Sequence, residues 1–371
     1  MAERDWYLIN DIDSLDTPAL VVYPDRVKQN IIMLIGMIDN AERLRPHVKT
    51  FKSKEAALLM MAAGITKFKC ATIAEAEMLG MCHATDVLLA YQPVGPKLKR
   101  FIKLIKAYPD THFSCLIDNA FAAGEISVSA IGNNMQITVY LDLNIGQNRT
   151  GIKPDETALQ LYKDCVKLPS IIPVGLHAYD GHIHNPDFEM RKTECDEGFE
   201  PVLKLQSAIK EEGFPEPIII AGGSPTFPIH AKRKAIECSP GTFVYWDKGY
   251  ETMLSEQPFL PAALVVTRVI SKPDETLICL DLGHKSIAAE KELGSRVYFI
   301  NAPDLIPVSQ SEEHLVMDAG KDHSYKVGDV LFGMPYHVCP TVALYERAIT
   351  IENEHISGEW KNIARDRKIT I

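Results

Sequence analysis

The sequence predicts a (β/α)8 TIM barrel followed by a C-terminal all-β domain. Three observations lead to this. Short apolar strands alternate with amphipathic helices through the first two thirds of the chain. Counting from Leu44 gives eight such strands, most of them separated by helical patterns. From about residue 255 the strands follow one another without helices, punctuated by turns. A doubly wound sheet is the rival for the first part. No G-x-G-x-x-G follows the first strand, which argues against it.

The elements run as follows. Residues 17–23 are a first strand, and Pro24 opens a helix to 40 with Val27, Ile31, Leu34 and Ile38 on one face. The eight barrel strands are expected at 44–49, 67–71, 87–91, 112–117, 136–144, 173–179, 217–221 and 241–245. Helical patterns lie at 54–63, 73–81, 97–107, 155–167 and 190–212. Later strands are expected at 262–270, 276–280, 296–300, 314–317, 330–332 and 346–351, with turns at Lys272-Pro273-Asp274 and Asp318-Ala319-Gly320. The strand at 17–23 falls outside the count of eight and is expected to join the second domain. The expected domains are therefore a barrel at 24–254, and a β-domain made of 1–23 plus 255–371.

Composition narrows the function classes. The chain has 371 residues, 46% hydrophobic and 24% charged, which suffices for a large core. Its formal net charge is -10 and it has no basic run, so nucleic acid is not the expected partner. No run of 18 apolar residues suggests a membrane span. Met1-Ala2-Glu3-Arg4-Asp5-Trp6 lacks a basic-then-apolar leader pattern, so a cytoplasmic protein is expected. Eight cysteines without a C-x-x-C pair read as reduced thiols, most of them small buried apolar residues, with Cys339 set apart.

Active sites of barrels gather at the C-terminal ends of the strands. In Arg45-Pro46-His47-Val48-Lys49-Thr50-Phe51-Lys52, Lys49 ends a strand just before a helix. A lysine there is placed to form an imine with an aldehyde cofactor, or it is one of several solvated lysines. In Gly222-Gly223-Ser224-Pro225-Thr226 two glycines let backbone N–H groups approach an anion, and two hydroxyls add donors. Its place after the seventh strand suits a phosphate; an ordinary Gly-Ser-Pro turn is the alternative. Gly241 and Thr242 open the eighth strand. Arg149 follows a buried strand and could bond a phenolate oxygen or pair with Asp142. His177 and Tyr179 share a strand face, so either could meet a cofactor ring or simply be buried. His337 and Cys339, two apart on an expected strand, could converge on a metal ion such as Zn²⁺ and leave positions open for water or substrate.

Taken together, Arg45-Pro-His-Val-Lys49-Thr-Phe-Lys-Ser, Gly175-Leu-His-Ala-Tyr179-Asp-Gly, Gly222-Gly-Ser-Pro-Thr226, Gly241-Thr-Phe-Val-Tyr245, Asp281-Leu-Gly-His-Lys-Ser286 and His337-Val-Cys-Pro-Thr-Val-Ala-Leu-Tyr345 resemble the D-threonine aldolase and eukaryotic-type D-serine dehydratase family. That family has the alanine-racemase-like fold of pyridoxal-phosphate enzymes. The resemblance runs in order from about residue 17 to the end of the chain. It implies that Lys49 forms the imine with pyridoxal 5′-phosphate, that Arg149 contacts the O3′ side, and that Tyr179 lies near the pyridine nitrogen. It implies a phosphate cradle of Gly222, Gly223, Ser224 and Thr226 with Gly241 and Thr242. It implies that His337 and Cys339 hold a divalent metal beside the β-hydroxyl of a D-amino acid substrate, and that the protein is a homodimer.

The resemblance also implies the activity. The leading expectation is a metal-assisted lyase on D-3-hydroxy amino acids, D-threonine-aldolase-like, giving glycine and an aldehyde. The alternative is a D-serine dehydratase giving pyruvate and ammonia. An amino-acid racemase ranks lower, because it needs a second base that the sequence does not identify. A non-enzymatic pyridoxal-phosphate-binding protein would generally lack the β-domain. Three residues depart from the family pattern: Phe51 stands at a usual histidine, Cys339 at the aspartate of the aldolase branch, and Ala343 at a frequent asparagine. The cysteine moves the expected metal from Mn²⁺ towards Zn²⁺.

Overall fold

The structure, a computed structural model, describes residues 6–371. Residues 1–5, the front of the stretch read for a leader pattern, lie outside the described residues. In chain order the first eight strands are β1 (Ala19–Val22), β2 (Lys67–Cys70), β3 (Asp86–Leu89), β4 (His112–Ile117), β5 (Ile137–Leu143), β6 (Ile171–Ala178), β7 (Ile218–Ala221) and β8 (Ile236–Cys238). They are followed by β9 (Ala263–Ser271), β10 (Leu277–Leu280), β11 (Val297–Phe299), β12 (Ile306–Gln310), β13 (Leu315–Asp318), β14 (Val330–Pro335), β15 (Arg347–Glu352) and β16 (His355–Lys361). Two compact units emerge: one takes the chain up to Ile31, Thr50–Ala56 and Thr242–Arg365, the other Ile32–Lys49, Ala57–Gly241 and Asp366–Ile371.

The second of these units is the barrel. β2 to β8 pair in sequence order and every pair is parallel. The ring is closed by the segment before Lys49. Leu44 bridges Cys238 and His47 bridges Lys69, both in the parallel sense. The Arg45 and His47 amides donate to the carbonyls of Cys238 (2.9 Å) and Pro240 (3.0 Å), while Val48 donates to Lys69 (2.9 Å). Pro46 has no N–H to offer, and its carbonyl accepts from Lys69 at 2.9 Å. With this segment the strand count reaches eight.

The interior is packed. Leu88, Leu116, Tyr140 and Ile220, from β3, β4, β5 and β7, pack into one buried apolar cluster. Beneath it Arg45 is buried, at 1% exposure. Its Nε donates to Glu237 Oε2 at 2.7 Å and its Nη1 and Nη2 to the Asp86 carboxylate at 2.6 and 3.1 Å. Burial alone would weaken its charge, but Asp86 and Glu237 overcome that and push its proton affinity up.

Two elements differ from the sequence reading of the barrel. Ala120–Gly132 is a helix capped by Asn119, which the reading passed over. Its Gly, Ser and Val content gives weak intrinsic helix propensity, and packing decides it. Residues 241–245 are not the eighth strand. That strand is Ile236–Cys238, and Thr242–Val244 is a 3₁₀ turn. A three-residue strand with a central glutamate carries no alternating apolar signal, whereas Thr-Phe-Val-Tyr imitates one.

In the other unit β1 runs antiparallel to β9 and parallel to β15, so the extra first strand does join the late strands. The sheet order is β12-β13-β10-β9-β1-β15-β16, with β14 also on β9 and β11 on β14. β1 is buried throughout. Val21, Tyr23, Leu264, Val266, Phe332, Met334 and Ile351 form its core. β12 and β16, largely exposed edge strands, were not expected. β12 contains Pro307, which fits an edge. Among the described residues no helix is long and apolar enough to cross a membrane.

Arg45→Ala strips the charge partner from Glu237 and Asp86 while leaving the backbone pairing available. The expected loss is about 3–5 kcal/mol, read as a lower urea midpoint. An unchanged midpoint would show that the barrel closes without this ion pair.

Candidate active site

In the barrel unit the predicted residues gather around one ring. Tyr179 follows the end of β6. Lys49 Nζ lies 6.0 Å, Lys69 Nζ 5.3 Å and the Arg149 guanidinium 5.2 Å from the Tyr179 ring centroid. Gly181 makes room for this ring, because a Cβ there would fall 2.3 Å from the Tyr179 hydroxyl. The Lys49 amide donates to His47 Nδ1 at 3.1 Å, which holds the turn that ends the closing strand. Arg149 was expected to pair with Asp142 if it did not meet a cofactor. Asp142 instead takes His177: Nδ1 lies 2.8 Å from Asp142 Oδ1. Gln92 donates to the other oxygen at 3.0 Å.

The loop after β7 is a backbone cradle. Gly222 has a φ of +77°, and a Cβ there would sit 2.8 Å from the His230 ring. The Gly223 amide donates to Thr226 Oγ1 at 3.3 Å, and the Gly241 amide donates to Ser224 Oγ at 3.3 Å. A side chain on Gly223 would approach the Tyr179 ring to 3.2 Å, so the cradle borders that ring. The Ser239 amide donates to Ala221 at the end of β7. The Ser239 hydroxyl is buried and has no hydrogen-bond partner among the described residues. Such an unsatisfied donor beside a glycine turn suits an anionic oxygen.

Under the cradle lies a polar cluster. Asp180 Oδ1 accepts from Thr226 Oγ1 and Oδ2 from His230 Nε2, both at 2.8 Å. Arg233 Nη1 lies 2.5 Å from His230 Nδ1. Arginine only donates, so Nδ1 accepts and Nε2 carries the hydrogen that Asp180 takes. Although burial opposes ionisation, His230 and Thr226 hold the Asp180 carboxyl below its usual range. The ligand atoms of Asp180, Cys195 and His230 lie within 4.8 Å of one another, a donor set that a metal could use. In this arrangement Arg233 supplies a cation, with its Nη1 3.7 Å from Cys195 Sγ.

The late motif belongs to the β-unit. His337 and Cys339 are not on a strand: β14 ends at Pro335, and His337 is the N-cap of the helix Val338–Leu344. Pro340 in the first turn favours that helix start. The two side chains still meet. Burial lowers the His337 proton affinity, but hydrogen bonding and charge from Cys339, then Glu290 and Asp247, raise it to about 9. Glu290 Oε1 lies 2.5 Å from His337 Nδ1. Cys339 Sγ lies 3.1 Å from Thr50 Oγ1 and 3.8 Å from Thr242 Oγ1. Thr242 is thus placed at the cysteine by the structure. Cys339 is half-buried, whereas the other seven cysteines are buried. Burial pushes the thiols of Cys165, Cys195 and Cys238 up to about 12.

Comparison with known proteins agrees with this geometry. The alanine racemase N-terminal domain family matches residues 22–248. The chain belongs to that family. A putative serine dehydratase domain matches residues 262–351, which include His337 and Cys339. The D-threonine aldolase of an Arthrobacter species is 27% identical over 95% of this chain and 93% of its own length. The D-threo-3-hydroxyaspartate dehydratase of a Delftia species is 26% identical over 63% of this chain and 62% of its own length. The crystal structure of D-threonine aldolase from Filomicrobium marinum superposes with a TM-score of 0.88 at 24% identity, covering 94% of this chain and 95% of that one. The likeness supports the alanine-racemase-like barrel with a following β-sheet.

Lys69, Thr50 and Glu290 had no role in the sequence reading, nor did Cys195, His230 and Arg233, and Asp247 was noted only for its place beyond the expected eighth strand. Lys69 had only a partial signal: Lys67-Phe-Lys-Cys alternates on a strand, which puts 67 and 69 on one face without saying which face is inward. Thr50, Glu290 and Asp247 had none, because only the fold brings them to Cys339 or His337. Phe51 is fully buried.

Asp180 and Asp142 both have carboxyls held below the usual range. Such groups stabilise the fold above the ordinary carboxylate pKa, and that contribution fades as pH falls through the lowered values. Asp180→Asn is expected to lose about 1.5–3 kcal/mol at neutral pH and to flatten the acid side of the stability profile. Urea midpoints measured from neutral to acid pH test this. A parallel loss in wild type and variant would contradict it.

Proposed function

We propose that the chain is a pyridoxal-phosphate-dependent lyase acting on D-3-hydroxy amino acids, with D-threonine-aldolase-like cleavage as its main reaction. The observation that carries the reading is the cluster of Lys49 and Arg149 about the Tyr179 ring, bordered by the Gly222–Thr226 cradle with its unsatisfied Ser239 hydroxyl. An amine, a flat aromatic face and an anion cradle are the parts that an aromatic aldehyde phosphate requires. Pyridoxal phosphate would supply the electron sink for breaking a bond at Cα.

The chain's own residues would do the rest. Lys49 provides the amine and, on release, a base. Tyr179 packs the ring face and Arg149 meets the phenolate side. The turn of Gly222, Gly223, Ser224 and Thr226, with Gly241 and Thr242, would cradle the phosphate, and the Ser239 hydroxyl offers it an unused donor. His337 and Cys339 would hold a divalent metal, which would polarise a substrate hydroxyl as a Lewis acid. The residues fit such an ion. One imidazole nitrogen is occupied by Glu290, the carboxylate–histidine arrangement usual behind a ligating histidine, and nitrogen with sulfur favours Zn²⁺. Thr50, in contact with Cys339, is also the residue that follows Lys49 in the chain.

A second reading is a dehydratase that converts D-serine to pyruvate and ammonia. Cys339 favours it, as does the serine dehydratase domain match over that motif. D-Threonine and D-serine assayed for glycine and pyruvate separate the two. Glycine from D-threonine is expected, and pyruvate from D-serine without any glycine would overturn the aldolase reading.

Lys49→Ala is expected to abolish the borohydride-reducible visible band and to cut turnover by about 10³-fold or more. Cys339→Ala is expected to keep the band but lose zinc and most turnover. A Cys339→Ala chain that retains one zinc per chain and full activity would remove the metal role of this motif.

A further inference from the structure

Three neighbouring strand ends carry a polar bridge that the proposed chemistry does not use. Gln92 lies just beyond β3, Asp118 follows β4, and Asp142 stands next to the last residue of β5. Gln92 Nε2 donates to Asp118 Oδ2 and to Asp142 Oδ2, both at 3.0 Å. A side-chain amide carries two N–H bonds on one nitrogen, so it serves both carboxylates at once and adds no charge. The other two oxygens are engaged as well. Asp118 Oδ1 accepts from Asn119 Nδ2 at 2.7 Å, and Asp142 Oδ1 lies 2.8 Å from His177 Nδ1. Burial opposes the Asp142 charge, but His177, Thr150 and Gln92 hold its carboxyl below the usual range.

The same two carboxylates hold the loop that carries Arg149. The loop leaves β5 after Leu143 and turns back on it. The Ile152 amide donates to the Asp142 carbonyl at 3.0 Å, and the Asn144 amide donates to the Ile152 carbonyl at 2.8 Å. Asn144 Oδ1 accepts from the Gly146 and Asn148 amides at 3.2 and 3.0 Å, which rounds the tip. On the returning side the Gly151 amide donates to Asp118 Oδ2 at 3.0 Å, and the Thr150 side chain bonds the Asp142 carboxylate. Gly151 has a φ of +97°, and a Cβ there would fall 2.6 Å from the Asn144 nitrogen, so the return needs glycine. Arg149 is the residue before this anchored pair, with its guanidinium 5.2 Å from the Tyr179 ring centroid. Without Gln92 the two carboxylates would face each other with no donor between them. A guanidinium is the strongest donor for such a pair, and Arg149 is the nearest arginine along the chain.

We propose that Gln92 is a positioning residue for Arg149. By taking one oxygen of each carboxylate it anchors the return of the loop. The guanidinium is then kept at the Tyr179 ring, free for the phenolate oxygen of the cofactor, instead of being drawn to Asp118 and Asp142. Gln92 acts through Arg149 and through nothing else in the reaction. This inference rests on the pyridoxal-phosphate reading above.

The test is a double-mutant cycle on cofactor affinity. The cofactor-free chain is titrated with pyridoxal phosphate, and the borohydride-reducible visible band reports occupancy. Arg149→Met is expected to weaken binding by about tenfold or more, the worth of a hydrogen bond to a charged group. Gln92→Met, which keeps the side-chain length and removes both donors, is expected to weaken it by up to the same factor. The double variant is expected to bind no more weakly than Arg149→Met alone. A merely structural role for Gln92 would instead add its loss to that of Arg149→Met. Asp118→Ala removes the Gly151 anchor by a second route, is expected to show the same non-additive pattern, and serves if the Gln92→Met chain does not fold. Additive losses, wild-type affinity in Gln92→Met, or a loss there with none in Arg149→Met overturns the Gln92 proposal and leaves the cofactor reading standing. Absence of any reducible band in wild type overturns both.

Discussion

The buried ion pairs of Arg45 are the constraint on which the barrel depends. A barrel strand of six residues that lies between the last and first members of a parallel ring has little regular pairing to hold it. Two isolated bridges and a few amide bonds tie it on either side. Arg45 adds a fork that reaches Glu237 on β8 and Asp86 on β3, so three parts of the ring are locked by one side chain. The fork sits in a low-dielectric interior, where bidentate pairing is geometrically strict. Lys49 lies four residues further along the same segment. Its position at the strand end therefore follows from the register that Arg45 enforces.

At that end the chain assembles an unusual amount of positive charge in a net acidic protein. Two lysines and an arginine surround one tyrosine ring, which the glycine turn after β7 borders. Such a field favours an anion and disfavours leaving every amine protonated at once. Asp142 and Asp180 balance part of it from inside, each already engaged with a histidine. The alanine racemase N-terminal family match covers the residues around the Tyr179 ring, and the serine dehydratase domain match covers the histidine–cysteine pair.

Much of this was legible in the sequence, and the limits have physical causes. The βα rhythm gave the barrel because buried parallel strands are continuous apolar runs. It failed where the eighth strand is three residues long and holds the glutamate that Arg45 needs. Lys49 stood out because it ends a strand before a helix, and Gly222–Thr226 because glycine pairs after a strand are conspicuous. Lys69 was passed over, since alternation with Phe68 and Cys70 does not tell which face of its strand looks into the barrel. His337 and Cys339 were paired on the wrong grounds. Strand parity was the argument, whereas a helix N-terminus brings them together. Thr50, Asp247 and Glu290 depend on contacts far apart in sequence, which no local pattern encodes.

The distribution of sulfur has a practical side. Seven thiols are shut inside the packing, and several are held far from thiolate formation chiefly by burial. Cys339 alone combines partial access with a neighbouring imidazole. Where no metal covers it, Cys339 is the thiol that an alkylating reagent would meet first, so alkylation would report whether the histidine–cysteine pair is occupied.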